Sequence, residues 1–331
     1  LLSINEGNAI FLHHLRETGK TFGELRRESP KAVPIGLIPS GNRHPLLNPA
    51  ADTELGEDDL IVFIARSFAD CGERAPGTGT SVGTDFSTWE PPSRPQRLLI
   101  LGWTRKVPAL LREFAADEMA IDVVGLTPVE DRMAALARCQ DLALDHVRQI
   151  ENNFLDPVKL AELEPWGYDQ IILLARARMG DEAHADAATI TAYLNLQHSF
   201  SGHKKQPKLF VEILEEQNRF LVDNVHDVLV TPLAISYMLS QIALRRELAA
   251  ILTELSRIGG PQIMLRPMQA TDHPKPIGFD TLATLAEQRR EIALGVLTAA
   301  GEVHLNPDRG EQLVIRDGDH LVTLATICDP E

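Results

Sequence analysis

The chain has 331 residues, 44% of them hydrophobic and 24% charged, a balance that suits a folded protein of two or three domains with a sizeable core. A formal net charge of −15 and a pI near 5.2, with no concentrated basic stretch, argue against a nucleic-acid partner and make cations the expected small partners. No run approaches the roughly 18 apolar residues needed to span a bilayer, and no signal-peptide pattern opens the chain. Cys71, Cys139 and Cys328 are far apart and lack metal spacing, so they read as incidental thiols in a reducing compartment. Because the chain begins at Leu1 and residues 1–60 read as the interior of a domain, it is expected to be cut from a longer protein whose earlier part holds any membrane segments.

Residues 8–15 form a short strand-like run. Phe22 and Leu25 then mark a small helix after the turn at Gly19, and residues 32–38, 46–49 and 57–65 read as three strands divided by turn residues. Together these make a compact α+β unit over residues 1–66. Residues 67–96 change character, with scattered Pro, Gly, Ser and Thr, and read as a flexible linker in which Trp89 is expected to anchor on a neighbouring domain.

Residues 97–230 alternate strand and helix at the spacing of a doubly wound parallel sheet. Leu98, Leu99, Ile100 and Leu101 run into Gly102, and a helix follows from Val107, as in the first strand, turn and helix of a dinucleotide-binding fold. Two features of such a site are absent. The glycines that admit a pyrophosphate are replaced by Thr104 and Val107, and the tip of the second strand, Gly125-Leu126-Thr127, has no acidic residue for ribose hydroxyls. Further strands are expected near residues 146–150, 168–175, 209–214 and 227–230, with helices over 129–138, 157–163 and 186–196. Thr231 and Pro232 start an apolar helix that reads on to Gly259 and Gly260. At about 26 residues and roughly 39 Å it is either a core helix or, favoured by that length, a crossover or subunit-contact helix.

Past Gly260 the opening pattern returns. Gly278-Phe279-Asp280-Thr281-Leu282 answers Thr21-Phe22-Gly23-Glu24-Leu25, residues 292–297 answer 33–38, Leu305-Asn306-Pro307 answers Leu47-Asn48-Pro49, and residues 317–322 answer 57–62. An ordered internal repeat means that the small α+β module occurs twice, the second time over residues 261–331.

A Rossmann-like lobe, a long crossover helix and a small α+β lobe, in tandem, resemble the RCK domains (regulators of conductance for K⁺) of ion-channel gating rings. Leu99-Ile100-Leu101-Gly102-Trp103, Glu291-Ile292-Ala293-Leu294-Gly295, Leu305-Asn306-Pro307 and Pro34-Ile35-Gly36 with Leu47-Asn48-Pro49 are similar to the CASTOR/POLLUX channels and their bacterial relatives. The resemblance covers nearly the whole chain except the linker. It implies an α/β fold in which residues 1–66 are the C-lobe of a first RCK domain, 97–230 the Rossmann-like N-lobe of a second, 231–260 its crossover helix and 261–331 its C-lobe. It further implies a regulatory role without catalysis, a homo-oligomeric and tetrameric ring at the cytoplasmic face of a membrane, and a pore upstream of Leu1. The effector it implies is Ca²⁺ or another cation, with NAD less favoured. An NAD(P)-dependent oxidoreductase and a stand-alone TrkA-like subunit of a potassium transporter are the alternatives.

Candidate ligand-binding residues fall at the carboxyl ends of the parallel strands, where open α/β folds bind ligands. Gly102, Trp103, Thr104, Arg105 and Lys106 lie where a phosphate would meet the first helix N-terminus; a solvated or interface-facing basic turn is the simpler reading. Asp181, Glu182 and Asp186 offer oxygens to a hard cation, or are ordinary acids of a helix N-terminus. Glu212 interrupts an apolar strand and is expected to pair with a cation, a basic side chain or a ligand. Asn152, Asn153 and Asp156 fit turn chemistry better than a site, and neither His13-His14 nor His198 with His203 has the partners zinc needs.

Overall fold

The computed structural model describes residues 7–14, 19–42, 44–76, 97–114, 119–139, 142, 144–176, 182–204, 206–222, 227–257, 259–268 and 276–326. Trp89, Cys328 and the greater part of the stretch read as a linker lie outside them.

The first α+β module comprises β1 (Ala9–His14), α1 (Phe22–Glu28), β2 (Ala32–Ile38), β3 (Leu46–Leu47) and β4 (Leu60–Ala65), with sheet order β1-β4-β2-β3. Thr21 and Glu24 close a reciprocal capping box on α1, which fixes where the helix starts. Residues 67–76, read as linker from their composition, belong structurally to this module. A 3₁₀ turn at Ala69–Gly72 puts Cys71 wholly inside the core, and Ala75 N–H donates to the Glu28 carbonyl. Burial pushes the Cys71 thiol up to about 12, so it serves as a small apolar filler.

The Rossmann-like unit follows with β5 (Arg97–Leu101), α2 (Val107–Phe114), β6 (Ala120–Gly125), α3 (Val129–Leu136), β7 (Val147–Glu151), α4 (Pro157–Ala161), β8 (Gln170–Leu173), α5 (Glu182–Phe200), β9 (Lys208–Ile213) and β10 (Asp227–Val230). Its six strands are parallel and ordered β10-β9-β8-β5-β6-β7, so the winding reverses between β5 and β8. Apolar clusters cover both faces, one around Leu99, Leu173 and Leu196 and the other around Ile100, Leu111 and Val123, as a doubly wound sheet requires.

The expected single helix after Thr231 is two: α6 (Thr231–Leu244) and α7 (Leu248–Leu255). The break has a physical cause. Arg245 donates to the Ile10 carbonyl and lies over the Phe11 ring at 4.5 Å, and the turn that follows re-aims the chain so that Leu248 and Ile251 enter a core.

The second module repeats the first: β11 (Pro261–Pro267), β12 (Ile277–Gly278), α8 (Phe279–Gln288), β13 (Ile292–Leu297), β14 (Val303–Leu305), β15 (Gln312–Leu313) and β16 (His320–Thr326), with sheet order β11-β16-β13-β14. The repeat extends to single atoms. Asp59 accepts from Ser40 and Gly56 amides, and Asp319 from Ala299 and Arg316 amides. Both central strands carry an irregularity, between Pro34 and Gly36 and between Ala293 and Gly295.

The two modules form one compact unit with α7, and Phe22, Ile35, Ile64, Ile251, Leu294 and Leu324 share its core. Asparagines of the repeated Leu-Asn-Pro words lock the seam reciprocally. Asn48 and Asn306 both stand in the left-handed region, at φ of 49° and 50°. Asn48 donates to the Arg290 carbonyl at 3.0 Å, and Asn306 donates to the Lys31 carbonyl, its counterpart in the other copy, at 2.8 Å.

A Cβ on Gly295 would stand 2.2 Å from the His304 carbonyl oxygen, whereas one on Gly310 would meet nothing within 4 Å. Gly295→Ala should therefore lower stability by about 1–3 kcal/mol in urea unfolding, and Gly310→Ala should stay within about 0.5 kcal/mol of the parent.

Candidate functional site

The crevice where the winding reverses is built around the turn after β5. Gly102 donates to the Val124 carbonyl at 2.9 Å with φ at +110°, and any Cβ there would sit 2.9 Å from the Leu174 oxygen, so only glycine fits. Trp103 comes next and is seated on Gly125, whose missing Cβ would lie 2.9 Å from the Trp103 Cβ. The tryptophan is thus packed onto β6 directly before Thr104, which stands where a dinucleotide turn carries its second glycine.

Beneath the Trp103 ring lies Arg132 of α3, wholly buried, with its guanidinium carbon 5.8 Å from the ring centroid. Its Nη1 donates at 3.1 Å to both the Val123 carbonyl and Gln149 Oε1, while Nε and Nη2 have no hydrogen-bond partner. Burial lowers the arginine pKa. Nothing in the sequence reading singled out Arg132. A cation on the helix that follows a strand tip without its acid was the available signal.

Lys106 and Glu212 are brought together. Glu212, only 2% exposed on β9, pairs with Lys106 Nζ through Oε1, accepts from the Thr231 hydroxyl at the same oxygen, and takes the Ala175 N–H through Oε2 at 3.2 Å. Of the alternatives for this acid, the structure selects a basic side chain. Thr104 accepts the Lys106 N–H at 3.2 Å with its hydroxyl and the Val107 N–H at 3.2 Å with its carbonyl, so these donors of the turn are committed internally. Arg105 is exposed.

Asp186 does not join them. It is fully buried and accepts from the Leu214 and Glu215 amides and the Asn218 side chain at 2.8–2.9 Å, which fastens the turn after β9. Glu182 opens α5, and Asp181 lies outside the described residues. Asp156 caps α4, as turn chemistry predicts. Among the described residues no group of three or more His, Cys, Asp or Glu side chains is placed to hold a metal ion.

A cavity of about 190 Å³ opens beside Trp103. Leu126, Phe154, Leu155, Leu173, Leu174 and Ala188 form its apolar walls. Thr189 contributes little polarity because its hydroxyl is spent on the Ala185 carbonyl at 3.0 Å. Arg176 and His184, both exposed, supply the polar groups. The arrangement can hold a small apolar body with charge at one end.

The fold defines the class. Over 96% of the chain and 66% of the other, the structure matches the human SLO3 gating ring with a TM-score of 0.69 at 12% identity, so the chain shares the fold of that ring's polypeptide. In sequence the chain is similar to ion channels of the CASTOR and POLLUX names. It is 22% identical to the ion channel POLLUX of Lotus japonicus over 93% of the chain, and 23% identical to a CASTOR channel of Oryza sativa subsp. japonica over 87%. It spans only 38% and 37% of the length of those two relatives. No protein-family model matches it.

Two polar clusters yield measurable consequences. Removing Lys106 (Lys106→Met) leaves a buried carboxylate with neutral donors only and should destabilise the Rossmann unit by about 1–3 kcal/mol in denaturant; Glu212→Leu together with Lys106→Met should recover part of that loss. Tyr168 donates to Asp122, which Arg148 also holds at 2.6 and 2.8 Å, and burial with that acid pushes the phenol up to about 12. A raised folded-state pKa contributes stability that is complete below the unfolded value of about 10 and is lost as pH rises from there through about 12. Tyr168→Phe should flatten that part of a stability-against-pH curve.

Proposed function

We propose that the chain is the regulatory gating-ring part of a cation channel of the CASTOR/POLLUX type, linked to potassium or calcium. Binding of an ion or small ligand shifts the ring between conformations and pulls on a pore encoded before Leu1. One observation carries the reading furthest: two copies of a C-lobe pair within one chain, with a Rossmann-like unit inserted between them in sequence. Relationship to ion channels over most of the chain points the same way, and it supports a binding role rather than a catalytic one.

The assembly we propose is a homotetrameric ring at the cytoplasmic face of the membrane. Exposed Ile235, Leu239 and Leu244 on α6, the last 66% exposed, support burial against further copies. Among the described residues no helix is long and apolar enough to cross a membrane, which agrees with a pore supplied by another segment. As effector we propose Ca²⁺ or another cation, with NAD or a related nucleotide second.

The test uses the parent protein, with its preceding segments, in liposomes. Cation flux should depend on added effector, and truncation before residue 97 should abolish that dependence. In light scattering the chain should assemble, and Leu239→Glu should weaken the assembly. Absence of flux in the intact parent, or hydride transfer from NADH to a carbonyl substrate, would overturn the proposal.

A further inference from the structure

We propose that the crevice beside Trp103 is a binding site for a small aromatic monoanion, one fused ring system bearing a single carboxylate, and no longer a nucleotide site. The proposal goes beyond the gating-ring reading: it adds a ligand of another class to the cation effector proposed above and removes this crevice as the seat of the nucleotide alternative, and it rests on that reading only for what binding would do to a channel.

Volume comes first. Sites for drug-sized ligands and cofactors run to about 300–1,000 Å³. The cavity here holds about 190 Å³, too little for a dinucleotide. A dry apolar cavity of about 150 Å³ is enough to bind benzene. The space therefore admits one ring, with a second fused ring reaching toward the open mouth of the cavity.

Shape and polarity follow from Trp103. Trp103 lines the cavity, its Cβ set against Gly125 and its ring over the Arg132 guanidinium, so an aromatic residue borders the space. Phe154, Leu126 and Leu173 make most of the cavity wall apolar, with polar groups only at Arg176 and His184. Three donors of the turn after β5 are already used: Glu212 neutralises Lys106, and Thr104 takes the Lys106 and Val107 amides.

Charge sets the remaining feature. Arg176, just beyond β8, borders the cavity and is exposed, and no described side chain pairs with it. A guanidinium at the edge of an apolar pocket matches a planar carboxylate attached to a ring. It does so for one charge, where a nucleotide diphosphate brings two or more.

The probe is 2-naphthoate, with uncharged 2-naphthamide, NAD⁺ and ADP alongside, titrated calorimetrically into the chain. We expect 2-naphthoate to bind in the micromolar to millimolar range and neither nucleotide to compete with it. Ala188→Phe, which fills the cavity, should weaken naphthoate at least tenfold; Ala188→Leu serves the same purpose if the larger ring disturbs α5. Arg176→Gln should weaken naphthoate several-fold and leave naphthamide unchanged. Naphthoate binding that survives both filling variants, or displacement of naphthoate by NAD⁺ or ADP, would overturn the assignment, as would no naphthoate binding at all. These measurements need no pore, so a parent protein without flux would refute the gating reading and leave the pocket standing.

Discussion

A core shared between the sheets of the two modules is the constraint on which the rest of that unit hangs. Ile35, Val62 and Ile64 of the first module and Leu294, Val322 and Leu324 of the second line the same interior, so neither inner face is dry without the other. The seam is also polar and specific. Arg309 donates to the Ser29 carbonyl at 3.0 Å and to the Arg26 carbonyl, and burial beside Arg26 brings its guanidinium down to about 10. Guanidinium groups buried mainly against carbonyls are costly, and they tolerate few alternative alignments. Together with the reciprocal asparagines they select one register for two modules that a purely apolar seam would let slide.

The Rossmann-like unit shows how a fold can keep its geometry and exchange its chemistry. Gly102 is retained because backbone passes within 2.9 Å of where its Cβ would be. The following residue is free of that limit on its own account and has become tryptophan. Its accommodation then falls on the neighbouring strand: Gly125 must lack a side chain, and Arg132 must slide beneath the ring where an acid would otherwise govern the strand tip. Three positions from three elements thus fit together as a set, and these packing partners explain how a large aromatic is held in this turn.

Much of this architecture was legible in the sequence, because it rests on repeats and on period. The Leu-Asn-Pro words and the Asp-Asp-Leu and Gly-Asp-His starts of β4 and β16 placed both C-lobes, and the apolar runs of β5 and β8 placed the parallel sheet. What escaped were features set by tertiary contact. The break between α6 and α7 depends on a guanidinium reaching a carbonyl more than 230 positions away in sequence, which no local pattern encodes. Residues 67–76 look like linker by composition, and Cys71 alone commits them to the core. In the site, Glu212 was conspicuous because it interrupts an apolar strand, whereas Arg132 was hidden among ordinary helix charges until Trp103 was seen above it. Asp186 looked like a surface acid of a helix start and proved to be a buried acceptor, since its three donors come from beyond β9.

A ligand as small as this cavity admits need not bind tightly to matter in a symmetric ring. Moving a two-state equilibrium from 1:99 to 99:1 takes about 5.5 kcal/mol of differential binding. Shared over the four equivalent sites of the homotetramer proposed above, that is about 1.4 kcal/mol each, a tenfold difference in affinity between the two conformations. Drug-sized ligands gain about 0.3 kcal/mol per non-hydrogen atom and very small ones up to about 1.5. A bicyclic acid of about a dozen such atoms would therefore bind by several kcal/mol, so a tenfold preference asks for less than half of its total. The requirement falls on geometry: the cavity has to differ between the two states by a contact or two. A wall made of one tryptophan resting on a glycine is suited to that, because a small displacement of β6 would move the whole indole face.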